Sequence, residues 1–564
     1  MPAREYQTED IRNVVVLGHA GSGKTTLIDT LTYISGTTDR RGDPRGGTAV
    51  TMYTEEEIAY GISLQLVPAY AEWGGVKVNL LDTPGYLDFT GEVAAGVRVA
   101  DSALIVLDAG SGVEVGTERV WEYCEARSLP RFFFVSMMDR EHADFEGVYQ
   151  EVREILTDRV LPVEIPIGSG DSFHGIINLF SGRAHLYDPD SDSGEYEEGE
   201  IPPEFTSEFE RWRNELIEAV AATDDGLLER YLEGEEIARD DVLAALKVAM
   251  LQGELYPLFC GAPERGWGTR ALIRKLVELM PHPGEVGEEV AERPGIDHTV
   301  SLRAEVDGPP VLLIYKTVVE PHLGELSYFR VYGGLLESGS ELWNARSGSG
   351  ERLSQLAVAL GRTRHGVKRL HPGDLGVTVK LRTTRTNDTL SPPERPLLLT
   401  PIEFPEPDIA VAVRAASRDA EERIGAGLLR LSNEDPTVHS SYDPELRQTI
   451  LRGLGELHLE VQLARLRRKF GVEVLTPDEF VGDVIGDLNQ RRGRILGMEP
   501  EGKRTRVRAL VPLAELYRYA TTLRSLTQGR AAHTRQPYGY EEVPAQVAQS
   551  VIDAAAREGE GVVV

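Results

Sequence analysis

The sequence predicts a multidomain chain in which an α/β domain, with a parallel sheet between helices, precedes an antiparallel β-barrel and two small α+β sandwiches. Three observations lead to this fold class. Apolar runs alternate with helical stretches up to about residue 160, a rhythm that is typical of a parallel sheet covered on both faces. Short alternating strands with turn signals occupy residues 295–398. A strand and helix pattern then occurs twice, over residues 399–474 and 475–564.

The predicted parallel sheet rests on short apolar runs within residues 1–292. These runs are 14–17, 78–81, 103–107, 132–135 and 258–260. Residues 160–255 break the rhythm with an acidic, turn-rich stretch and then a long helical pattern, so we interpret them as an inserted subdomain. A helix over 269–279 closes this first domain.

The later boundaries follow from the change of pattern along the chain. Residues 293–398 contain turns such as Tyr332-Gly333-Gly334 and predict the β-barrel domain. Residues 399–474 form the third domain and residues 475–564 the last, and each has the composition of a small α+β sandwich. The helices predicted in these two segments cover 419–431, 455–470, 482–491 and 513–523.

Composition excludes several classes of protein. The 564 residues carry a net charge of −31, which argues against non-specific coating of DNA or RNA, although basic clusters occur near the C-terminus. No apolar stretch has the length of a membrane span, and residues 1–10 are polar rather than signal-like. Cys124 and Cys260 lie far apart, without metal-ligand spacing, which favours a reducing cytoplasm.

A glycine-rich octapeptide, Gly18-His19-Ala20-Gly21-Ser22-Gly23-Lys24-Thr25, follows the first apolar run and leads into a helical stretch at Thr26. Strand, turn and helix together direct several main-chain N–H groups and the positive helix end to one point, which suits a polyphosphate. Lys24 is placed to neutralise the outer phosphates, and the Thr25 hydroxyl to hold Mg²⁺. A chance match is the alternative, which the fit of both flanking elements disfavours.

A second motif, Asp82-Thr83-Pro84-Gly85, follows the apolar run that ends at Leu81. A carboxylate at the end of a strand can hold the magnesium shell, and the Gly85 N–H can contact a γ-phosphate, although such a tetrapeptide alone is often only a turn. Between the two motifs, residues 40–64 are rich in glycine and polar residues. We expect no packed element there and interpret this stretch as a mobile switch that the terminal phosphate orders.

Several longer motifs resemble the translational GTPases, specifically elongation factor G. The first domain contains Asp82-Thr83-Pro84-Gly85-Tyr86-Leu87-Asp88-Phe89, which resembles the second switch, and the related stretches 98–101 and 106–113. Later motifs are Asn433-Glu434-Asp435-Pro436, 453–460, 482–489, 491–493 and 523–530. The resemblance spans nearly the whole chain. It implies a P-loop GTPase domain that uses GTP or GDP with Mg²⁺, a β-barrel, and two ferredoxin-like domains that together dock on the ribosome.

The resemblance also assigns site residues. Those that would contact the nucleotide are Gly18, His19, Ala20, Gly21, Ser22, Gly23, Lys24, Thr25, Thr26, Asp82, Gly85, Ser136, Met137, Asp139, Gly261 and Ala262. Thr25, Ser63 and Asp82 would organise magnesium, where Ser63 replaces the family's threonine in Tyr60-Gly61-Ile62-Ser63. Contacts to ribosomal RNA would come from Arg491, Arg492, Arg494, Thr527 and Arg530, for which a solvated surface is the alternative. His458 is interpreted as a packing or capping residue.

Two departures from the family pattern affect the predicted chemistry. The residue after Gly85, a histidine that positions the attacking water in the family, is Tyr86 here. A phenol titrates near pH 10 and cannot orient water as imidazole does, so we expect slow hydrolysis. The family's guanine-reading Asn-Lys-x-Asp is Ser136-Met137-Met138-Asp139, in which Asp139 can still accept hydrogen bonds from guanine N1–H and the exocyclic amine. Guanine preference is expected to persist in weaker form, helped by a main-chain N–H of Cys260-Gly261-Ala262.

The largest departure is a gap. The stretch 470–474, which resembles the closing strand of the third domain, runs directly into 475–480, which resembles the start of the last domain. The blade-like fourth domain of elongation factor G, roughly a hundred residues or more, is absent from this position. The gap is natural, engineered or an omission from the sequence, and the residues do not distinguish these origins.

Two functional hypotheses follow. The first is a cytoplasmic, monomeric, GTP-binding factor that docks on the ribosome, hydrolyses GTP slowly and does not translocate by itself. The second is a non-hydrolysing ribosome-binding module that uses GTP as a conformational latch. A full translocase that lacks its fourth domain, and a chain that has lost base selectivity, are further alternatives. Neither membrane nor DNA is an expected partner.

Overall fold

We describe the protein from a computed structural model. The described residues are 4–191, 193–320, 324–413, 418–443, 448–470, 484, 487–488, 494–501, 504–510, 519, 523 and 527. The chain divides into two compact units, of which one contains Met1–Ala412 and Ala426–Arg465 and the other Val413–Gly425 and Leu466–Val564.

The first unit begins with an α/β domain that carries an inserted subdomain. Its strands are β1 Ile11–Leu17, β2 Val67–Trp73, β3 Val76–Asp82, β4 Ser102–Asp108, β5 Arg131–Ser136, β6 Val160–Pro162, β7 Glu164–Ile167, β8 Gly175–Asn178, β9 Arg183–Tyr187, β10 Tyr196–Gly199 and β11 Tyr256–Cys260. Its helices are α1 Lys24–Ile34, α2 Glu55–Tyr60, α3 Thr90–Val99, α4 Val115–Ala126, α5 Phe145–Glu151 with a π-helical turn Val152–Leu156, α6 Thr206–Ala221, α7 Asp225–Leu232, α8 Arg239–Leu251 and α9 Thr269–Leu279.

The main sheet has the strand order β2-β3-β1-β4-β5-β11-β6. Every pair is parallel except β2 with β3. All seven residues of β1 are buried, as expected for a central strand covered on both faces. The parallel α/β prediction is therefore confirmed. Because the carboxyl ends of β1, β3, β4, β5 and β11 meet at one edge, the segments that follow them converge there.

The inserted subdomain differs in detail from its predicted pattern. Its strands form an antiparallel sheet in the order β10-β9-β8-β7, and β10 lies inside the stretch that we predicted to be acidic and turn-rich. The single long helical pattern is divided into α6, α7 and α8. Asp224 causes one division, because its side chain accepts the Leu227 N–H and so starts a new helix.

Glu164, in the first strand of this subdomain, is completely buried, and its Oε1 accepts only a long 3.4 Å hydrogen bond from Asn178. Burial raises its pKa to about 8, against the opposing effects of Lys275 and Asn178. The folded state therefore retains a proton that the unfolded chain loses near pH 4.5. Its contribution to stability is complete below that pH and is lost as the pH rises to about 8.

We expect Glu164→Gln to remove this dependence. Relative to the variant, the wild type should lose roughly 2–4 kcal/mol of stability between pH 5 and pH 8, since one pKa unit corresponds to about 1.4 kcal/mol. Urea denaturation at several pH values measures the difference. The exposed Glu197→Gln is the matched control and should track the wild type. A parallel pH profile for Glu164→Gln and wild type would contradict the assignment.

The second part of the first unit is antiparallel β structure. Its strands are β12 Glu289–Arg293, β13 Ile296–Leu302, β14 Val311–Glu320, β15 Gly324–Gly333, β16 Leu336–Glu337, β17 Glu341–Asn344, β18 Ser349–Arg352, β19 Leu356–Leu360, β20 Thr363–Val367, β21 Arg369–Leu370, β22 Leu375–Val379, β23 Thr389–Ser391 and β24 Leu398–Leu399. The main sheet has the order β18-β17-β23-β14-β15-β22-β19-β20. β12 begins before the predicted boundary at residue 293 and pairs with β13 and β24.

A buried polar cluster joins the α/β domain to this antiparallel sheet. The Lys77 ammonium lies 2.6 Å from Oδ1 of Asp374, and both side chains are at most 4% exposed. Asn79 donates to the same carboxylate at 3.2 Å. Nearby, Arg330 donates to Asp101 at 2.5 Å in a second buried ion pair. The first pair connects β3 to the residue before β22, and the second connects β15 to the segment between α3 and β4.

The remaining described elements are β25 Ile409–Val413, α10 Arg418–Glu434, β26 His439–Asp443, β27 Gln448–Gly453, α11 Glu456–Phe470, β28 Arg494–Glu501 and β29 Arg504–Leu510. The first three strands form a sheet in the order β25-β27-β26, in which β26 and β27 are antiparallel, and β28 pairs with β29. The helices predicted at 419–431 and 455–470 thus correspond to α10 and α11. Most residues of the helices predicted at 482–491 and 513–523 lie outside the described residues.

Two further observations concern the protein's surroundings. Over the described part of the chain, none of the helices has both the length and the apolarity needed to cross a bilayer. Cys124 and Cys260 are both buried free thiols, and burial raises the pKa of each. Neither is poised for thiolate chemistry.

Candidate nucleotide-binding site

The glycine-rich loop connects β1 to α1 in a conformation that its glycines permit. Gly18 and Gly23 have φ angles of 142° and 91°, where residues with a side chain are rarely found. A Cβ on Gly18 would lie 2.3 Å from the carbonyl oxygen of Val106. The loop therefore passes directly over the end of β4, and the N-terminus of α1 opens towards the same point.

Lys24 is buried at the start of α1, with only 6% of its surface exposed. Its ammonium donates to the carbonyl oxygens of Gly18 and His19 at 2.8 and 2.7 Å. Burial lowers its pKa to about 8, although the negative charge of Asp82 opposes the shift. The loop thus holds a desolvated cation at its centre, which is the electrostatic requirement for binding a polyphosphate.

Two hydroxyl groups donate to the carboxylate of Asp82, and a third contacts one of them. Thr25 donates to Oδ2 at 2.9 Å and lies 3.0 Å from the Ser63 hydroxyl. Thr51, which the sequence reasoning missed, donates to the same Oδ2 at 2.5 Å and is buried. The structure therefore brings together the three predicted magnesium residues and adds a fourth oxygen donor. No short motif signals Thr51, because its role depends on where the chain between α1 and β2 folds back.

The chemistry of this cluster fits a divalent cation. Among the described residues, Oδ1 of Asp82 has no hydrogen-bond partner although it is buried. Burial raises the pKa of Asp82 to about 6, against hydrogen bonds from Thr51 and Thr25. A hard oxygen-ligand cation such as Mg²⁺ would satisfy the unpartnered oxygen and stabilise the ionised carboxylate.

The expectation that residues 40–64 form no packed element is wrong. Thr54 and Glu57 form a reciprocal capping box that starts α2, and Gly61 ends it in the left-handed conformation. Upstream, the buried Asp29 of α1 accepts the Val50 N–H at 3.1 Å. The Thr-x-x-Glu spacing at 54–57 is the sequence signal for this helix, and the prediction, which rested on the polar composition of the segment, did not use it.

Gly85 lies directly against the phosphate loop. A Cβ at this position would be 2.6 Å from the main-chain nitrogen and Cα of Ala20, so a larger residue would push the two segments apart. The next residue, Tyr86, is 41% exposed and starts the 3-10 turn Leu87–Phe89. The phenol therefore lies at the surface beside the loop, rather than within the core.

The turn after Tyr86 contacts α11. Oδ1 of Asp88 accepts the main-chain N–H groups of Leu457 and His458 at 3.0 and 3.3 Å, and thereby caps the helix. His458 is buried, and its Nε2 lies 2.8 Å from Asp435, so the packing interpretation of this residue agrees with its position. A Cβ on Gly455 would lie 2.0 Å from the Asp88 carboxylate, which leaves glycine as the residue that fits.

The predicted base-reading residues at the end of β5 and just after it border a small cavity, which is lined by Gly23, Thr26, Ser136, Met137, Asp139, Arg140, Pro263 and Glu264. Within the described residues, the buried Ser136 hydroxyl has no partner, and Met137 adopts a left-handed φ of 63°. Asp139 accepts a hydrogen bond from Arg265 at 3.2 Å, so its carboxylate is held in one orientation. The cavity adjoins the phosphate loop at Gly23, as a base pocket requires.

Gly261 and Ala262, which were predicted to contact the nucleotide, are not among the residues that line this cavity. The Gly261 N–H donates to Val135 at 2.9 Å, and the Ala262 N–H donates to Trp267 at 3.0 Å. Both groups are therefore already used within the fold. Their places in the lining are taken by Pro263 and Glu264, which the sequence reasoning did not select.

The predicted RNA contacts lie in the second unit. Arg491, Arg492 and Arg530 are outside the described residues. Arg494 is the first residue of β28 and pairs with Leu510. Thr527 is completely buried, and its hydroxyl donates to the Leu523 carbonyl at 2.8 Å, a placement that argues against direct contact of this side chain with RNA.

Comparison with known proteins decides the family. A model described as the elongation factor Tu GTP binding domain matches residues 9–282. Models of elongation factor G domain 2, domain III and C-terminus match residues 309–392, 404–477 and 470–551. An elongation factor G from Thermotoga neapolitana is 31% identical over 688 residues, which covers 98% of this chain and 99% of the relative. The chain belongs to the elongation factor G family.

A solved structure supports the same conclusion at the level of the fold. A crystal structure of a protein from Thermus thermophilus superposes with a TM-score of 0.73 at 30% identity, covering 98% of this chain and all of that one. The resemblance to elongation factor G and the predicted multidomain fold class are thus confirmed. This elongation factor G family member is a translational GTPase homologue whose first domain matches a GTP-binding domain.

Proposed function

We propose that this chain is a GTP-binding factor that docks on the ribosome in its GTP form, hydrolyses GTP slowly and does not translocate tRNA by itself. The family relationship supports the guanine nucleotide and the translational role. The observation that carries the proposal is the exposed phenol of Tyr86, next to Gly85, at the position where the family has histidine. A monomer in the cytoplasm, with no DNA or membrane partner, is part of this proposal.

The nucleotide roles follow from the geometry of the loop. Lys24 would bind the β- and γ-phosphates, and the Gly85 N–H would contact the γ-phosphate. Mg²⁺ would be held by Thr25, Ser63 and Asp82, and it would supply charge neutralisation of the phosphates. The protein's own contribution is to keep these groups in place through the contacts of Thr51 and Gly85 with their neighbours.

The domain boundaries are part of the same proposal: a GTPase domain at 1–292 with the insertion 160–255, a barrel at 293–398, and ferredoxin-like domains at 399–474 and 475–564. The alignment with the Thermotoga relative runs over 688 residues, whereas this chain has 564. A large block of the relative therefore faces no residue here. This supports the absence of the fourth domain, and with it the proposal that translocation is lost.

The proposal is tested by GTP turnover with and without purified 70S ribosomes. We expect weak stimulation for the wild type and an increase of about 10²–10⁴-fold for Tyr86→His, the range that a positioned acid–base group contributes. Tyr442→His is the matched control, because Tyr442 is also exposed and lies outside the site. Strong stimulation of wild-type GTP turnover by ribosomes would contradict slow hydrolysis. If GTP did not increase the amount of this protein that sediments with ribosomes, the proposed docking would be wrong.

The second candidate is a module that binds GTP as a latch without hydrolysing it. The same phenol favours it, since Tyr86 offers one hydroxyl in place of an imidazole. Single-turnover measurement on ribosomes separates the two candidates, because a latch would retain intact GTP for hours and the proposed slow GTPase would release phosphate.

A further inference from the structure

We infer that this chain recognises guanine through its N1–H and 2-amino edge, by Asp139, and that it lacks main-chain recognition of guanine O6. The inference rests on the proposed function, since it concerns the base of the same nucleotide. Discrimination of the base would then rest on the N1–H and 2-amino groups, without O6.

The loop after β11 uses its own N–H groups to hold its shape. Ala262 and Trp267 form a reciprocal main-chain pair, with N–H to carbonyl distances of 3.0 Å and 3.1 Å. Gly261 donates to Val135 of β5 at 2.9 Å. A donor that is bonded inside the fold cannot also serve the base without breaking that bond, which costs about 1 kcal/mol or more. Neither of these groups is available to a carbonyl oxygen in the cavity.

Pro263 and Glu264 are the residues of this loop that border the cavity, and Pro263, as a proline, has no N–H to donate. It is the first residue of the 3-10 turn Pro263–Arg265, a position that proline favours. The buried Thr30 of α1 donates to the Pro263 carbonyl at 2.9 Å, which fixes the loop against the helix that follows the phosphate loop. Pro263 is therefore fixed in position by the turn and by the hydrogen bond from Thr30.

On another side of the cavity, the Asp139 carboxylate provides a hydrogen-bond acceptor. Asp139 lines the cavity, its side chain is 14% exposed, and its Oδ2 accepts from Arg265 at 3.2 Å. A carboxylate has capacity for further hydrogen bonds beyond this one, so the N1–H and 2-amino donors of guanine can both be accepted. Arg265 itself packs over the Trp267 ring at 4.9 Å, which restrains its orientation and that of Asp139.

Nucleotide analogues distinguish recognition of O6 from recognition of the 2-amino group. In 6-thio-GDP the oxygen at position 6 is replaced by sulfur, a weak acceptor, whereas N1–H and the amine remain. IDP keeps the oxygen and N1–H but lacks the amine. We expect 6-thio-GDP to bind this chain within about threefold of GDP and IDP to bind at least tenfold more weakly, measured at pH 7 by competition with a fluorescent GDP.

A gain of recognition provides the second measurement. Pro263→Ala restores one N–H at the cavity wall, and we expect it to tighten GDP by about fivefold while leaving 6-thio-GDP unchanged. Pro203→Ala is the matched control, since Pro203 is also the first residue of a 3-10 turn but is exposed in the inserted subdomain. That variant should bind both nucleotides as the wild type does.

The outcomes are distinct. If 6-thio-GDP binds the wild type tenfold or more weakly than GDP, O6 is read, through the Glu264 N–H or another donor, and the inference is overturned. Equal affinity for GDP and IDP would remove the role of Asp139 and overturn it as well. Absence of any GDP binding would overturn the proposed function itself. That result differs from failure of the inference, in which GDP binds and only its affinity relative to the analogues departs from expectation.

Discussion

Replacement of Lys24 by methionine is expected to weaken the binding of GTP and GDP by roughly 10²–10³-fold, because truncating a buried charged partner costs about 2–5 kcal/mol. The ammonium is desolvated by the loop, and two carbonyl oxygens fix its position. It therefore meets a phosphate without reorganising. Methionine has a similar length and no charge, so packing is largely kept.

Titration calorimetry with GDP and Mg²⁺ measures the loss. The free variant should be as stable as the wild type, since burial already disfavours the charged ammonium, as its lowered pKa of about 8 indicates. Lys247→Met is the matched control, because Lys247 pairs with Glu285 away from the loop. An affinity of Lys24→Met within threefold of the wild type would show that the phosphates do not bind at this loop.

The largest effect on stability is expected for Lys77→Met. This change leaves the Asp374 carboxylate buried without its cation, and breaking such a pair typically costs about 3–5 kcal/mol. Since Lys77 lies on β3 and Asp374 immediately precedes β22, the loss falls on the contact between the α/β domain and the antiparallel sheet. Both parts of the first unit should then become easier to unfold.

Urea denaturation, followed by tryptophan fluorescence, measures this loss as a lower midpoint. The double change Lys77→Met with Asp374→Leu should recover part of the stability, because it removes the unpaired charge. Recovery is expected to be partial, since Asn79 also donates to Asp374. Exposed Lys368→Met serves as the control. A midpoint for Lys77→Met that equals that of the control would contradict the role of the ion pair.

The parts of the fold that the sequence predicted correctly are those with a local signal. The helix at 269–279 was predicted at the bounds that the structure gives, because its apolar residues repeat with helical spacing and a glycine precedes it. The strands that carry the phosphate loop and Asp82 contain short apolar runs, and all of their residues except Val76 are buried. Pattern alone was sufficient for these elements.

The parts that were missed depend on contacts between distant segments. Thr51 donates to Asp82, which is distant in sequence, and the adjacent Val50 N–H donates to Asp29 of α1. The main-chain N–H of Ala262 was predicted to be available to a base, whereas in the structure it donates to the carbonyl oxygen of Trp267. Neither pairing has a signature in the order of residues, because each is set by tertiary packing. Pro263 was visible in the sequence, but its position in the cavity was not.

The capping of α11 by Asp88 has a mechanical consequence. The Asp88 carboxylate accepts hydrogen bonds from two main-chain N–H groups at once. It also lies so close to Gly455 that a side chain at that position would clash with it. Sliding the turn by a single hydrogen-bond length uncaps the helix, at a cost of about 1 kcal/mol. That cost favours the capped position of the turn over the uncapped position by about fivefold. The contact between Asp88 and α11 therefore favours one position of the turn, and a binding event worth more than about 1 kcal/mol is sufficient to displace it.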